Sequence, residues 1–442
     1  MNVLMIVFDD LNLSLGCYGN PVVKTPNIDR LASRGVLFER TYCQSPLCTP
    51  SRSSMLTGLD PDTTGITTLQ GHFREHVPDV VTLPQLFRQN GYFTGRAGKV
   101  FHMGVPDSVA MHSSGADDPP SWDVAVNCPG YELNSNGVYR NVTPWERCRA
   151  GTGGAIAWLR AQNRDEHQHD YNVATTIIDL MRQHQREPFF LAAGFIRPHV
   201  PLVAPERFFA MYDNVEIPLP PSSGDSCPEL LKGFFGAGFG VSSDEQREAI
   251  RAYYACVSFV DAQVGRLLDA LDELNLADRT AVVLTADHGF QLGEHGLWFK
   301  KFLYEESARV PLILSVPSTP GHGQRCTGLV ELLDVYPTVA EIAGQRLVQP
   351  AHGSSLVGAL CSPSTGGKPA AFVQTRNGQG DKLIKGRSVI RGQHKLNLWN
   401  GGKIATELYD LQRDPHERQN LAADPAHAGI VQELEGLLRR RA

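Results

Sequence analysis

The chain of 442 residues is poor in long hydrophobic runs, in paired cysteines and in excess positive charge. No stretch approaches the roughly 18 to 20 apolar residues that a membrane-spanning helix needs, so no membrane partner is expected. The opening segment, MNVLMIVFDD, carries no basic n-region and no cleavage site, and runs at once into a strand-like stretch. As written, the chain is expected to be cytoplasmic, and secreted or periplasmic only if a leader has been trimmed away. Lysine and arginine number 41 against 47 aspartates and glutamates, a formal net charge of −6. With no basic stripe, that balance argues against nucleic acid or an anionic membrane as partner, while leaving room for a small basic pocket that takes an anionic substrate. The nine cysteines form no CxxC pair and no zinc-finger spacing. Their odd number suits reduced, buried thiols, and Cys17, Cys43, Cys128, Cys148, Cys227, Cys256, Cys326 and Cys361 are read as small core or loop residues. No internal repeat is present.

What is there is an ordinary globular composition, 42% hydrophobic and 20% charged, on a chain long enough for a large domain and a smaller companion. NVLMIVF is a continuous apolar run, as in a central parallel strand buried on both faces. NIDRLASRG and LPQLFRQNG are helices closed by glycine. ATTIIDLMRQHQ precedes the strand PFFLAAGF, and REAIRAYYACVSFVDAQVGRLLDALDELN precedes AVVLTADHG. This alternation predicts a parallel sheet with helices on both faces, to which ARVPLILSVP adds a strand and LVELLDVYPTVAEIAG a helix. Residues 103–169 are loop-rich, as either a disordered segment or long ordered loops around a site would be. CSPSTGGKP is the linker candidate, which sets domains of 1–361 and 362–442. The second is expected to hold antiparallel strands with a Gly-Gly turn and a terminal helix, IVQELEGLLRRR.

Two strands end in acids: LMIVFDD in Asp9 and Asp10, and VVLTADHG in Asp287 and His288. In an open parallel sheet, sites form beyond the carboxyl ends of the strands, so both ends point at one rim. Either alone would serve as a turn or helix cap. Together the carboxylates repel, and a divalent cation is the simplest way to neutralise them. Oxygen-rich ligation favours Ca²⁺ or Mg²⁺, while the imidazole of His288, a poor calcium ligand, keeps zinc and manganese open. A second feature is the segment CTPSR. Pro50 suits the first turn of a helix, and the free N–H groups and positive dipole end then gather around Cys48. Arg52, four residues on, shares that helix face and could fork onto an oxyanion. Core packing, a reactive thiolate and a cysteine awaiting modification all fit this much.

The full string CTPSRSSMLTG resembles the signature of the type I, formylglycine-dependent sulfatases, a long motif rarely matched by chance. The order DD, CTPSR, GKVFH, RPHVP, DHG and a later lysine is also that family's. Blocks such as TPNIDRLASRGVLF, PFFLAAGFIRPHVP and DHGFQLGEHGLWFK are most similar to its iduronate-2-sulfatase-like members. The similarity spans nearly the whole chain, fading in 103–169, around 213–245 and in parts of the C-terminal region, although ELYDLQRDPHERQNLA again resembles sulfatases. The resemblance implies an alkaline-phosphatase-like α/β domain, a mostly parallel central sheet flanked by helices, with a smaller α+β C-terminal domain. It implies a sulfuric ester hydrolase acting on a sulfate monoester, on a sugar for instance. Cys48 would be oxidised to formylglycine by a formylglycine-generating enzyme. Asp9, Asp10, Asp287, His288 and the modified Cys48 would hold one divalent cation, calcium first and magnesium or manganese next. Arg52 would orient the formylglycine and neutralise charge; Lys99 and His102 would contact its hydrate and the sulfate oxygens; His199 and Lys300 would bind sulfate or protonate the leaving group.

The physics agrees with that assignment. A sulfate ester is fully ionised and repels an attacking anion until cations neutralise its oxygens. A hydrated aldehyde offers one hydroxyl to attack sulfur and a second whose deprotonation expels sulfate, whereas a serine would be left as a stable ester. Two rivals stand beside it. One is a phosphodiesterase or phosphonate monoester hydrolase of the same superfamily, since tetrahedral phosphorus and sulfur oxyanions are similar in size. The other is a non-catalytic binder of sulfated glycans with Cys48 unmodified. Among lesser features, His72, His76 and His295 are candidates to line the pocket, HQH at 167–169 reads as solvated loop, and GFFGAGFG reads as a lid without a Walker lysine.

Overall fold

A computed structural model of the chain describes residues 1–130, 136–142, 156–221, 241–378 and 380–441. The expected lid GFFGAGFG, together with Cys148 and Cys227, lies outside the described residues. In chain order the strands are β1 (Asn2–Asp9), β2 (Val36–Tyr42), β3 (Phe93–Gly98), β4 (Val124–Val126), β5 (Gly137–Asn141), β6 (Ala157–Ala161), β7 (Phe189–Pro198), β8 (Leu202–Pro205) and β9 (Thr280–Ala286). They continue as β10 (Gln291–Leu292), β11 (Trp298–Phe299), β12 (Arg309–Ser315), β13 (Arg325–Glu331), β14 (Ala371–Asn377), β15 (Ile384–Arg391), β16 (His394–Trp399) and β17 (Ala405–Asp410).

Eight strands form the central sheet in the order β13-β2-β12-β9-β1-β7-β3-β4. The apolar run of β1 is buried along its whole length, as a strand covered on both faces must be. It pairs in parallel with β9 and β7. The sequence-based expectation of a mostly parallel sheet holds with one qualification: β12 runs antiparallel to both β9 and β2. The chain leaves β9 at the rim where Asp287 lies, stays there through residues 288–308, and can only descend again. Helices α1 (Pro26–Ser33), α2 (Cys48–Thr57), α3 (Leu83–Gln89), α4 (His169–His184), α5 (Ser243–Glu273) and α6 (Val335–Ile342) accompany the sheet. The capping box Ser242/Glu245 starts α5, whose apolar residues from Ala249 to Leu271 join the main core.

Within the loop-rich segment, β4 extends the sheet edge, and β5 and β6 form a small sheet with β8. The HQH segment is not a solvated loop. His169 begins α4 buried, its Nδ1 2.9 Å from Asp170 Oδ1, and the Asp170 carboxylate accepts the N–H groups of Ile196 and Arg197 at the end of β7. No helix among the described residues is long and apolar enough to cross a membrane.

The smaller C-terminal domain is an antiparallel meander, β14-β15-β16-β17, whose last turn passes through Gly401 and Gly402 at positive φ. Leu434 and Leu438 of α7 (Ala428–Arg440) pack on Val389, Leu396 and Leu408 of this sheet. Its other face, with Val373, Ile390 and Trp399, shares a cluster with Tyr42, Phe302 and Tyr304 of the large domain. The linker is fastened: Lys368 Nζ pairs with Glu331 and, at 2.9 Å, with Asp334 Oδ1.

Candidate active site

The order of the sheet builds the site. The four neighbouring strands β9, β1, β7 and β3 run in parallel, and just beyond their carboxyl ends lie Asp287 and His288, Asp9 and Asp10, His199, and Lys99. The register places Phe8 against Ala286, which brings the two acidic strand ends side by side. Gly98, at φ +73°, and Gly194 let the ends of β3 and β7 approach so closely that a Cβ on either would collide with the other's backbone, and Lys99 N–H donates to Gly194 O at 2.8 Å. Asp10 itself sits at φ +65°, a left-handed conformation unusual for a non-glycine residue and typical of functional positions. Its carbonyl accepts the Tyr253 hydroxyl at 2.7 Å and its N–H donates to Asp287 Oδ1 at 3.3 Å.

Helix α2 delivers Cys48 at its first position and ends at Gly58 in the left-handed region. Every residue of α2 is buried. Cys48 Sγ lies 3.2 Å from His288 Nε2, 3.4 Å from Asp9 Oδ1 and 3.4 Å from Lys300 Nζ. One donor atom each from Asp9, Asp10, Cys48 and His288 falls within 4.8 Å of the others. Lys99 Nζ pairs with Asp9 Oδ2, Lys300 Nζ lies 2.7 Å from Asp10 Oδ1, and His199 Nε2 lies 3.8 Å from Asp10 Oδ2. The ring of His199 is oriented by a contact between its Nδ1 and the Val200 carbonyl. His102 is near enough to feel Lys99 and Asp9.

Asp287 and Arg52 meet in a buried ion pair. The Asp287 carboxylate accepts Arg52 Nε at 2.8 Å and the His288 N–H at 2.9 Å, which places it behind the four-donor cluster, with Oδ2 3.6 Å from His288 Nε2. Arg52 does not fork onto a cavity. It is fully buried, and its remaining N–H groups donate to the carbonyls of Lys99, Val100 and Phe8 at 2.6, 3.0 and 3.2 Å. It stitches together the loops that carry Asp9, Lys99 and Asp287. The other histidines considered are elsewhere engaged. His72 caps a 3₁₀ turn and meets Asp117 O at 3.0 Å, His76 is exposed, and His295 stacks on Tyr304 with ring centres 4.0 Å apart.

The electrostatics are those of a crowded ionic cluster. Burial and the neighbouring Asp9 raise the Asp10 carboxyl to about 7 despite Lys300. Asp9 is held well below the usual carboxylate range: burial works against this, and Lys99, His199, Lys300 and Arg52 overcome it. Burial and Asp9 push the Cys48 thiol up, but Lys300 and Lys99 leave it below its ordinary value. His288 rises to about 9 because Asp287 and Cys48 outweigh its burial, while burial and then nearby lysines depress His199 strongly and His102 to about 3. Asp10 Oδ2 is buried with no hydrogen-bond partner. An orphaned buried carboxylate oxygen among three further donors fits a divalent cation.

The fold is shared with a solved structure: a phosphonate monoester hydrolase of Agrobacterium radiobacter superposes with TM-score 0.82 at 23% identity, covering 100% of this chain and 95% of the other. The chain belongs to the sulfatase family, whose model matches residues 1–345, and a model for the C-terminal region of N-sulphoglucosamine sulphohydrolase matches residues 293–442. A sulfatase of Formosa agariphila is 32% identical over 99% of this chain and 86% of its own length. Iduronate 2-sulfatase of Mus musculus is 31% identical over 98% of this chain and 93% of its own. The enzyme is therefore a sulfuric ester hydrolase. Sequence reasoning had no sign of Asp170 or of the C-terminal strand β14 near this rim; the first resembles a loop acid, and the second follows a Gly- and Pro-rich linker.

Proposed function

We propose that this sulfatase works through a formylglycine made from Cys48 by a formylglycine-generating enzyme, with one divalent cation, and that its substrate is a sulfated sugar. The convergence of Asp9, Asp10, Cys48 and His288 within 4.8 Å, beneath two lysines, carries the reading. Hydrated formylglycine supplies one hydroxyl to attack sulfur and another whose deprotonation expels sulfate. Asp9, Asp10, residue 48 and His288, with Asp287 beside them, would hold the cation, which would supply positive charge for the sulfate oxygens and for the attacking hydroxyl. Calcium suits the carboxylate oxygens best, although His288 also accommodates manganese or zinc.

The chain's own residues do the rest. Lys99 and Lys300, both buried, would face the anionic oxygens, where preorganised charge counts for more than in water. His102, beside Lys99 and Asp9, would contact the hydrate and the sulfate oxygens, and His199, 3.8 Å from Asp10 Oδ2, would bind sulfate or serve the leaving group. Arg52 keeps Asp287 and the Lys99 loop in register. The same reading divides the chain into a catalytic domain, 1–361, and a C-terminal domain, 362–442. Sugar as leaving group is supported by relatives named iduronate 2-sulfatase and N-acetylglucosamine-6-O-sulfatase, the latter 27% identical over 99% of this chain.

The test pairs the mass of the Cys48 peptide with hydrolysis of sugar, aryl, alkyl and choline sulfates across preparations of different conversion. Activity should follow formylglycine content and be greatest on a sugar sulfate. Activity that follows the unmodified thiol would overturn the reading. The phosphonate hydrolase likeness motivates an aryl phosphonate control, expected to turn over more slowly than aryl sulfate.

A further inference from the structure

We infer that the C-terminal domain aims a catalytic lysine: Thr375 and Asn377 are positioning residues for Lys300, acting through the main chain of Lys301. The inference rests on the role proposed above for Lys300. The residues on either side of Lys300 adopt left-handed backbone conformations, Phe299 at φ +77° and Lys301 at φ +80°. Neither is glycine, and such conformations persist only where surrounding contacts over-determine them. Between them, Lys300 sends its amine to Asp10 Oδ1 at 2.7 Å and to within 3.4 Å of Cys48 Sγ.

The contacts that hold this backbone come from two sides. The Lys301 N–H donates to Pro46 O at 3.0 Å, on the segment that leads into α2 and Cys48. The Lys301 carbonyl accepts Thr375 Oγ1 at 3.0 Å and Asn377 Nδ2 at 3.1 Å, both from β14. Thr375 and Asn377 are two residues apart, so they share the inward face of the strand, and they are 3% and 1% exposed. The Gln374 N–H donates to Gln44 O at 2.9 Å, tying β14 to the same leader of α2. Further along, the Tyr304 hydroxyl donates to Glu407 Oε1 at 2.9 Å and the Glu305 N–H to Glu417 Oε2 at 2.6 Å. The Cys48 leader, the Lys300 loop and the C-terminal sheet therefore meet at one junction. The two donors on Lys301 O fix the plane of the peptide that follows it, and with it the left-handed turn that points Lys300 inward. With both donors removed, the loop can relax towards negative φ and swing the amine away from Asp10.

The experiment compares Thr375→Val, Asn377→Leu and their combination, with Thr375→Ser as the conservative variant, in formylglycine-converted enzyme and in a Lys300→Met background. Steady-state kinetics on an aryl sulfate are measured beside thermal unfolding. In parallel, an amine-acylating reagent and peptide mass spectrometry report how accessible the Lys300 amine is. In otherwise wild-type enzyme, kcat should fall by about 10- to 100-fold with KM little changed, as expected when a catalytic group is displaced by about an ångström. Thr375→Ser should restore it, the Lys300→Met background should show almost no further loss, and Lys300 should become acylated only in the clamp variants. An unchanged kcat in folded variants would overturn the inference, as would an equal fractional loss in the Lys300→Met background. Should the combined variant fail to fold, the near-isosteric Thr375→Val alone carries the same comparison. If converted wild-type enzyme hydrolyses no sulfate ester, the proposed function fails, and Lys300 acylation still decides the clamp: equal protection in wild type and variants would refute it.

Discussion

Arg52 and Asp287 form an ion pair with no exposure to solvent, Nε to Oδ2 at 2.8 Å, directly beneath the four donors of the candidate metal site. The pair joins the helix that carries Cys48 to the strand end that carries His288, so it fixes the distance between them. Arg52 also binds three backbone carbonyls, which satisfies the guanidinium in a place where an unpaired charge would be very costly.

The first prediction follows from that burial. Asp287→Ala strands Arg52, and the loss should be about 3–5 kcal/mol of stability, together with turnover. The pair makes folding part of the penalty. Urea denaturation of the variant, with the slope unchanged and the midpoint lowered, is the measurement. A wild-type midpoint would show that Arg52 finds other partners.

Charge over the sulfate is a separate matter from stability. Lys300→Met and His199→Asn should each lower kcat on the order of 10²–10³, the usual effect of losing one preorganised electrostatic contact. Stopped-flow and steady-state kinetics on an aryl sulfate distinguish a lowered chemical step from weakened binding. A normal kcat in both variants would remove these residues from the reaction.

Much of this was legible in the sequence, and the failures have physical causes. The strands β1 and β9 declare themselves because unbroken apolar runs end in acids, and position beyond a strand end is what matters in such a sheet. The direction of β12 was hidden, because a strand's composition carries no sign of its polarity. AFVQTRN, which becomes β14, is not singled out as a strand in the sequence because its inward positions include Thr375 and Asn377, polar residues whose partner is the Lys301 carbonyl far away in sequence. Arg52 was expected to face substrate, since helical spacing gives a shared face with Cys48. Burial of all of α2 means that no face of this helix meets solvent, and spacing alone cannot tell which neighbour it meets. His169 reads as loop in HQH because its burial depends on Asp170 and on distant Gly98 and Gly130.

Removal of the cation gives a third prediction. Chelation should abolish turnover and lower thermal stability, because Asp9, Asp10 and residue 48 then crowd together with only Lys99 and Lys300 to offset their charge. Calcium restored to about 100 times its Kd should raise the unfolding free energy by about 2.7 kcal/mol. Calorimetry with calcium, magnesium and manganese ranks the ions. No shift with any of them would argue against a resident cation.

The last prediction separates attack from turnover. Cys48→Ser places a hydroxyl where the formylglycine would stand, at the start of α2 beside Lys300 and His288. The serine oxygen can take the place of the alcohol on sulfur, so that an S–O bond to serine forms, the S–O bond to the leaving group breaks, and the proton ends on the released alcohol. The product is a serine sulfate ester with no second hydroxyl to expel the anion, so the variant should release at most one equivalent of alcohol per site and then stop. Its residue 48 peptide should then carry one added SO₃ group. Cys48→Ala lacks any nucleophile and should release none, although Lys99 and Lys300 remain to bind substrate. Rapid-quench measurement of released phenol, beside peptide mass, tells these apart. Continued multiple turnover by Cys48→Ser would mean that the second hydroxyl is dispensable and that formylglycine is not the working group of this enzyme.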